Sequence, residues 1–267
     1  MRMLITGAAS GIGRAVALLA AESLPSRCGL VLVDTQAAAL ETVADDARTL
    51  GAAVWCAAVD LSAPSACSRV VDVAENKLGG LDAVISNAGY ARSAPLLELE
   101  AEEFDRSIAV NTRPVWLLGK AAFPMLAASR GAVVATASMS ARHPTPPLGA
   151  YSASKAALVM LVQQMALEWG ASGIRCNVVS PGPTATGMTA GIFADQQDEV
   201  QRRNRAERES HIPLRRVGEA VDVAHAILFL AGPSARQVTG VELTVDGGLS
   251  IGLMPAVGGG QGHRASG

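Results

Sequence analysis

The stretch Met3-Leu4-Ile5-Thr6-Gly7-Ala8-Ala9-Ser10-Gly11-Ile12-Gly13 decides the fold. Met3 to Thr6 is a short apolar run of strand character. It breaks at Gly7, and an apolar-periodic run from Arg14 to Ala21 follows the last glycine. The order is strand, glycine turn, helix. Glycine accepts positive φ and lets a ligand approach the backbone, and a helix N-terminus offers N–H groups that suit a pyrophosphate. The Gly-x-x-x-Gly-x-Gly spacing differs from the usual Gly-x-Gly-x-x-Gly of dinucleotide sites but can serve the same task. Gly7, Ser10, Gly11, Ile12 and Gly13 are the first candidate cofactor contacts.

Working outward, a second strand from Leu30 to Val33 ends at Asp34, 21 residues beyond Gly13, where a ribose-binding acid belongs. A carboxylate there accepts from both ribose hydroxyls and repels a 2′-phosphate. Neither Thr35 nor Ser10 supplies a cation, and Arg14 is expected to point away, so NAD is the expected cofactor. Ala37 to Leu50 reads as a helix and Ala52 to Val59 as a third buried strand closing on Asp60-Leu61. Asp60 is placed to meet the adenine edge, with helix capping as its other use. Ser62-Ala63-Pro64 opens a helix to Leu78, with Ser62 or Ser65 as a cap, and Leu81 to Ser86 is a fourth strand ending in Asn87-Ala88-Gly89. Those small residues leave room for the cofactor. Strand and helix alternate about every 30 residues, which implies a doubly wound parallel α/β sheet with its ligands at the strands' C-terminal ends.

In the second half, Ala101 to Ala128 reads as one long helix containing Asn111, with Pro114 disturbing it nearby. A fifth strand, Gly131 to Ala137, delivers Ser138-Met139-Ser140. A helix from Ala150 to Trp169 then carries Tyr151-Ser152-Ala153-Ser154-Lys155. Residues four apart share a helix face, and a nearby ammonium favours the phenolate, so Lys155 is expected to bring Tyr151 towards the range of a general base. Taken alone the spacing is a weak signal. This helix is apolar nearly all round. One side can pack on the sheet, and the other calls for a second copy of the chain or a covering loop. Ile174 to Val179 is a sixth strand closed by Ser180-Pro181-Gly182-Pro183. Residues 184–213 turn polar and arginine-rich and are expected to form a substrate lid. Glu219 to Leu230, Glu242 to Val245 and the turn Asp246-Gly247-Gly248 complete a single domain, 1–251, before a glycine-rich tail, 252–267.

A chain of 267 residues, 49% hydrophobic and 17% charged, is long enough for one large core. Its net charge of −2 argues against nucleic acid as a partner, and the absence of an apolar run of about 18 residues argues against a membrane. With strand-like sequence directly after Met1, a cytoplasmic location is the expectation. Cys28, Cys56, Cys67 and Cys176 form no Cys-x-x-Cys, and His143, His211, His225 and His263 show no ligand spacing, so no metal site is expected.

Taken together, Thr6-Gly7-x-x-x-Gly11-x-Gly13, Asp60, Asn87-Ala88-Gly89, Asn111, Ser138, Tyr151-x-x-x-Lys155 and Pro181-Gly182 resemble the short-chain dehydrogenase/reductase family over roughly Met1 to Gly248. The resemblance implies a Rossmann-type sheet of about seven strands. It implies Tyr151 as acid/base, Ser138 as hydrogen-bond partner of the substrate oxygen, Lys155 on the nicotinamide ribose and Asn111 holding a relay water. It also assigns Thr186 to the nicotinamide carboxamide and suggests a homotetramer, a homodimer being the smaller alternative. The implied reaction interconverts a secondary alcohol and a ketone. Alternatives are an NADPH-dependent carbonyl reductase of the oxoacyl-carrier-protein reductase type and a catalytically silent NAD(H)-binding regulator. One departure concerns the stretch after Ser138, where the family often has glycine and this chain has Ala141-Arg142-His143-Pro144-Thr145-Pro146-Pro147. Arg92, Ser140, Arg142, His143, Leu148 and Met188 are the candidate substrate-pocket residues, and they leave the substrate unnamed.

Overall fold

The computed structural model describes residues 1–24, 28–189 and 198–252. The Met188 side chain, part of the expected lid (190–197) and the tail from residue 253 lie outside the described residues.

Nearly continuous apolar strands such as Leu30-Val31-Leu32-Val33 are those of a sheet covered on both faces. The elements follow in order: β1 (Arg2–Thr6), α1 (Gly11–Ser23), β2 (Gly29–Asp34), α2 (Ala37–Thr49), β3 (Ala53–Ala58), α3 (Pro64–Leu78), β4 (Ala83–Ser86), α4 (Ala101–Asn111), α5 (Arg113–Ser129), β5 (Ala132–Thr136), α6 (Gly149–Trp169) and β6 (Arg175–Pro181). A small ladder of β7 (Thr184–Ala185) with β8 (Gly218–Glu219) flanks α7 (Glu199–His211), and α8 (Ala220–Ala231) leads into β9 (Glu242–Val245). The main sheet has seven strands in the order β3-β2-β1-β4-β5-β6-β9, every pair parallel. Alternation sorts its side chains. Met3, Ile5, Leu30, Leu32 and Ile85 pack under α1, α2 and α8, while Leu4, Val31, Val33, Val84 and Val133 pack under α3, α5 and α6. Strand order reverses between β1 and β4, and ligands of such sheets bind at that crevice.

Three local expectations change. The long helix is two helices, broken at Thr112, because Pro114 lacks an N–H and its ring would collide with the carbonyl of Val110 in an unbroken helix. Neither Ser62 nor Ser65 caps α3: Ala63 is the N-cap and Pro64 opens the helix without a capping bond. β3 is an edge strand with only β2 beside it, so Trp55, Cys56 and Ala57 are half-covered rather than buried. Odd-numbered residues of β3 bond to β2, as Ala53 N donates to Cys28 O, which turns the even-numbered backbone groups outward. Arg48 reaches from α2 to one of these and donates to Val54 O at 3.1 Å while pairing with Glu41 and Asp45. All four cysteines are free, and burial pushes Cys28 and Cys67 up to about 11 and Cys56 and Cys176 to about 12. No helix among the described residues is long and apolar enough to cross a membrane.

Candidate active site

The turn after β1 is built by close approach. Gly7 has φ +65° and Gly11 φ +52°, both left-handed values that favour glycine. Gly13 has an ordinary φ, but a Cβ there would lie 2.1 Å from the Gly7 carbonyl oxygen. Ser10 is the N-cap of α1 yet makes no side-chain cap, and the first turn holds no acidic residue. Its N-terminal amides therefore face the crevice without a side-chain acceptor. Thr186 stands across the turn, close enough that a Cβ on Gly11 would be 3.2 Å from its own.

Other strand ends hold this turn in place. Asp34 accepts from Ala9 N at 3.0 Å and from Gln36 N at 3.1 Å. Thr6, buried and given no role from sequence, accepts both Asn87 N and Ala88 N at 3.0 Å, locking the end of β4 to β1. Asp60 accepts from Ser62 N at 2.8 Å, and bonds to the Ser62 backbone and hydroxyl hold its carboxyl below the usual range. This bond closes a turn ahead of α3 and does not cap the helix, whose N-cap is Ala63, and Leu61 is buried beside it. Pro181 is buried, and Gly182 lies so close to Asp246 that a Cβ would meet the Asp246 Cβ at 2.6 Å. Arg14 donates to Asp46 on α2 at 3.1 Å.

Ser138, Tyr151 and Lys155 meet at the C-terminal end of β5. Ser138 caps the short turn Met139–Ala141 by accepting Ser140 N at 3.1 Å. Lys155, buried, donates to Thr136 O at 2.7 Å, and its Nζ lies 5.7 Å from the centroid of the Tyr151 ring. Electrostatics differ here from the sequence expectation. Burial raises the Tyr151 phenol, and a hydrogen bond with Ser138 opposes that rise. Burial also lowers Lys155 to about 8. The pair therefore needs a further charge or donor to favour the phenolate.

Lys155 gives a stability prediction. Its ammonium loses its proton near pH 8 when folded and near 10.5 when unfolded, so the unfolded chain holds more protons between those values. Stability rises with pH across that window, and the penalty of about 3 kcal/mol is complete below it. Lys155→Met is expected to gain most over the unaltered chain at pH 7.5 and least at pH 10, read from denaturant midpoints without cofactor. The buried thiols affect both proteins alike. A gap that does not change with pH would show that burial does not govern Lys155.

Asn111, buried at the break between α4 and α5, joins three segments. Its amide donates to Tyr90 O at 2.9 Å and to Ser154 Oγ at 2.8 Å, and accepts Tyr90 N at 2.7 Å. Ser154 Oγ donates on to Tyr151 O at 2.7 Å, and Thr112 Oγ1 donates to Ser154 O at 2.8 Å. Ser154, Thr112 and Tyr90 had no assigned role; the second serine of Tyr-Ser-Ala-Ser-Lys was their one visible signal. With both amide hydrogens taken, a relay water can bond only to Asn111's oxygens.

Of the expected pocket residues, Arg92 is exposed on the loop after β4, which is tied to the region before α6 by Ala94 N donating to Pro147 O and by a bridge from Ala94 to Leu148. Ser140 is buried against Thr145, His143 is exposed, and Leu148 is the half-buried N-cap of α6. Arg142 is already paired: its Nε donates to Glu242 at 2.7 Å. A cavity of about 550 Å³ lies elsewhere, among Thr184, Pro213, Arg216 and Asp246, and Ser138, Tyr151 and Lys155 do not line it.

A family model described as enoyl-(acyl carrier protein) reductase matches residues 7–250. The 4-formylbenzenesulfonate dehydrogenase of Comamonas testosteroni is 37% identical over 93% of this chain and 97% of its own. The cis-4-hydroxycyclohexanecarboxylate dehydrogenase of Sinomonas cyclohexanicum is 36% identical over 92% and 95%. The chain belongs to the short-chain dehydrogenase/reductase family. Among solved structures of that family, a 7α-hydroxysteroid dehydrogenase complexed with NADH and 7-oxo glycochenodeoxycholic acid superposes with a TM-score of 0.84, at 30% identity over 92% of each chain.

Proposed function

We propose that this short-chain dehydrogenase/reductase is an NAD-dependent oxidoreductase that interconverts a secondary alcohol and a ketone, with Tyr151 as acid/base. The convergence of Ser138, Tyr151 and Lys155 at the same edge of the sheet as the uncapped, glycine-lined start of α1 carries this reading. The residues present fit a dinucleotide: Gly7, Gly11 and Gly13 leave a cradle that any Cβ would fill. Ser10, Ile12 and the first turn of α1 would hold the pyrophosphate, Asp34 the adenosine ribose, and Asp60 and Leu61 the adenine. Asn87, Ala88, Gly89, Pro181, Gly182 and Thr186 would line the nicotinamide half, with Lys155 on its ribose. When bound, the nicotinamide supplies a hydride acceptor or donor. Ser138 Oγ and Tyr151 Oη fix the substrate oxygen, and Tyr151 takes its proton in the oxidative direction. Lys155, charged below about pH 8, stabilises the resulting phenolate. Asn111 keeps α6 seated through Ser154 and leaves only oxygen acceptors for a relay water.

Two features favour NAD. Asp34 faces the turn at the end of β2, and Arg14, the nearby cation, is engaged by Asp46. The test follows the reduced-nicotinamide absorbance band with NAD or NADP and a panel of cyclic alcohols. NAD is expected to support turnover and Asp34→Ala to erode the preference by tenfold or more. An unchanged preference in Asp34→Ala removes that residue's role, and NADH binding without turnover on any alcohol favours a silent binding protein.

An anionic group on the substrate is the finer reading. Both relatives act on ring compounds named as a carboxylate or sulfonate, and the hydroxysteroid enzyme holds an acid. Among the described guanidinium groups around the loops after β4 and β5, Arg142 is paired with Glu242 and Arg106 lies 4.7 Å from the Tyr90 ring centroid. Arg92 is left to receive an anion.

A homo-oligomer completes the proposal. Ala157, Met160, Gln164 and Leu167 form an exposed stripe on α6, with Trp116 exposed on α5. Met160 at 66% and Leu167 at 81% exposure favour cover by a second copy. Light scattering is expected to give a multiple of the 27.3 kDa chain mass; a monomer at micromolar concentration would remove this reading. α7 buries none of its side chains and suits a movable cover over the site, the role expected for residues 184–213.

A further inference from the structure

β9 pairs with β6 in the register Val178 to Glu242 and Ser180 to Thr244. Leu243 and Val245 pack with the α1 and α8 core, so alternation turns Glu242 to the opposite face, where α6 lies. Val178, opposite Glu242, packs in that α6-side core, and Ser180 shares its side of the sheet.

There the Glu242 carboxylate, 12% exposed, makes two short bonds. Its Oε1 accepts from Ser180 Oγ at 2.7 Å, and its Oε2 accepts from Arg142 Nε at 2.7 Å. The buried carboxylate is thus compensated by one hydroxyl and one full charge. The groups it joins lie at the ends of two adjacent strands, Arg142 in the turn after β5 and Ser180 near the end of β6. Arg142 closes the turn that Ser138 opens: Ala141 N donates to Ser138 O at 2.9 Å and Arg142 N to Met139 O at 3.0 Å. Ser180 immediately precedes Pro181-Gly182. Pro144, Pro146 and Pro147 follow Arg142 on the same loop and can donate no backbone bond, so side-chain anchorage counts for more there.

We propose that Glu242 is a positioning residue, whose carboxylate braces the Ser138 turn against the end of β6 through Arg142 and Ser180 and so fixes the aim of Ser138 Oγ. The proposal rests on reading Ser138 and Tyr151 as the reacting pair. Glu242 touches neither residue; its effect passes through Arg142.

The test compares Glu242→Ala, Glu242→Gln and Arg142→Ala, singly and combined, with the unaltered enzyme on an alcohol it oxidises. Loosening Ser138 by a fraction of an ångström is expected to lower kcat roughly ten- to a hundredfold in Glu242→Ala, with reduced-cofactor affinity unchanged. Glu242→Gln keeps an acceptor for Ser180 and the shape of the side chain, so it is expected to fold normally and fall in between. Adding Arg142→Ala to Glu242→Ala is expected to cost little more, because the brace is already lost. The pH profile supplies a readout that mere loss of stability would not move. Ser138 opposes the rise of the Tyr151 phenol, so the limb reporting Tyr151 is expected to move to higher pH in the Glu242 variants. Wild-type kcat and pH profile in both Glu242 variants, or fully additive losses in the double variant, would overturn the proposal. Tyr151→Phe is the control: retained turnover there removes the reading beneath the proposal and the proposal with it. An inactive Tyr151→Phe beside fully active Glu242 variants removes the proposal alone.

Discussion

Tyr151→Phe is expected to bind reduced cofactor as the unaltered chain does and to turn over alcohols about 10³-fold more slowly, within the usual range for loss of a general base. The substitution removes one oxygen and leaves the ring, so α6 stays seated: Ser154 bonds the Tyr151 main chain, and Asn111 and Thr112 hold Ser154. Removing the buried phenol also removes its bond with Ser138, so the residual activity is expected to lose the limb of the pH profile that reports tyrosine ionisation. The separation matters because burial raises the Tyr151 phenol and lowers Lys155, so the chain by itself does not favour the phenolate. Cofactor titration by fluorescence together with initial rates decides the matter. Residual turnover within tenfold of the unaltered chain would assign the proton to another group.

Gly13→Ala is expected to have the largest structural effect. Its Cβ would sit 2.1 Å from the Gly7 carbonyl oxygen and 2.7 Å from the Gly7 carbonyl carbon, and both are backbone atoms. No rotamer change relieves that, so α1 must move off β1 or the turn must open. Either response disturbs the Ala9 to Asp34 bond and the packing of Val16, Ala17 and Ala20. A loss of roughly 3–5 kcal/mol, in the range of severe core disruption, is expected, together with loss of cofactor binding. Thermal unfolding and cofactor titration of the soluble protein measure both. Gly79→Ala supplies the contrast: its Cβ would meet nothing within 4 Å, so the strain of φ +66° is the only cost.

Much of the fold was legible because its signals are local. The glycine turn, the apolar strands and the roughly even alternation order the strands along the chain and put Ser138, Tyr151 and Lys155 at their C-terminal ends. The break after Asn111 was foreshadowed by Pro114, but its position followed from which carbonyl the proline ring would strike. The edge location of β3 was hidden because strand order is a tertiary property; its sequence reads like an inner strand. The bonds that align the site were hidden for a related reason. Asn111 and Ser154 are 43 residues apart, Ser180 and Glu242 62, and Arg142 and Glu242 100. No periodicity connects residues at such separations. Tyr151 and Lys155 show the same limit in electrostatics: their spacing reveals a neighbouring cation but not the desolvation that opposes it.

The contact from Arg48 to Val54 bears on solubility. A parallel sheet ends in a row of unmet N–H and C=O groups that can template pairing with another chain. On β3, six residues long, that row comes from Val54, Cys56 and Ala58, and Arg48 occupies one outward carbonyl while Glu41 and Asp45 surround it with charge. A second strand approaching this edge would have to displace the guanidinium from three oxygens and pass two carboxylates before making its first ladder bond. The guanidinium and its carboxylates thereby oppose pairing at this point of the edge, although the strand beneath reads Ala-Val-Trp-Cys-Ala-Ala.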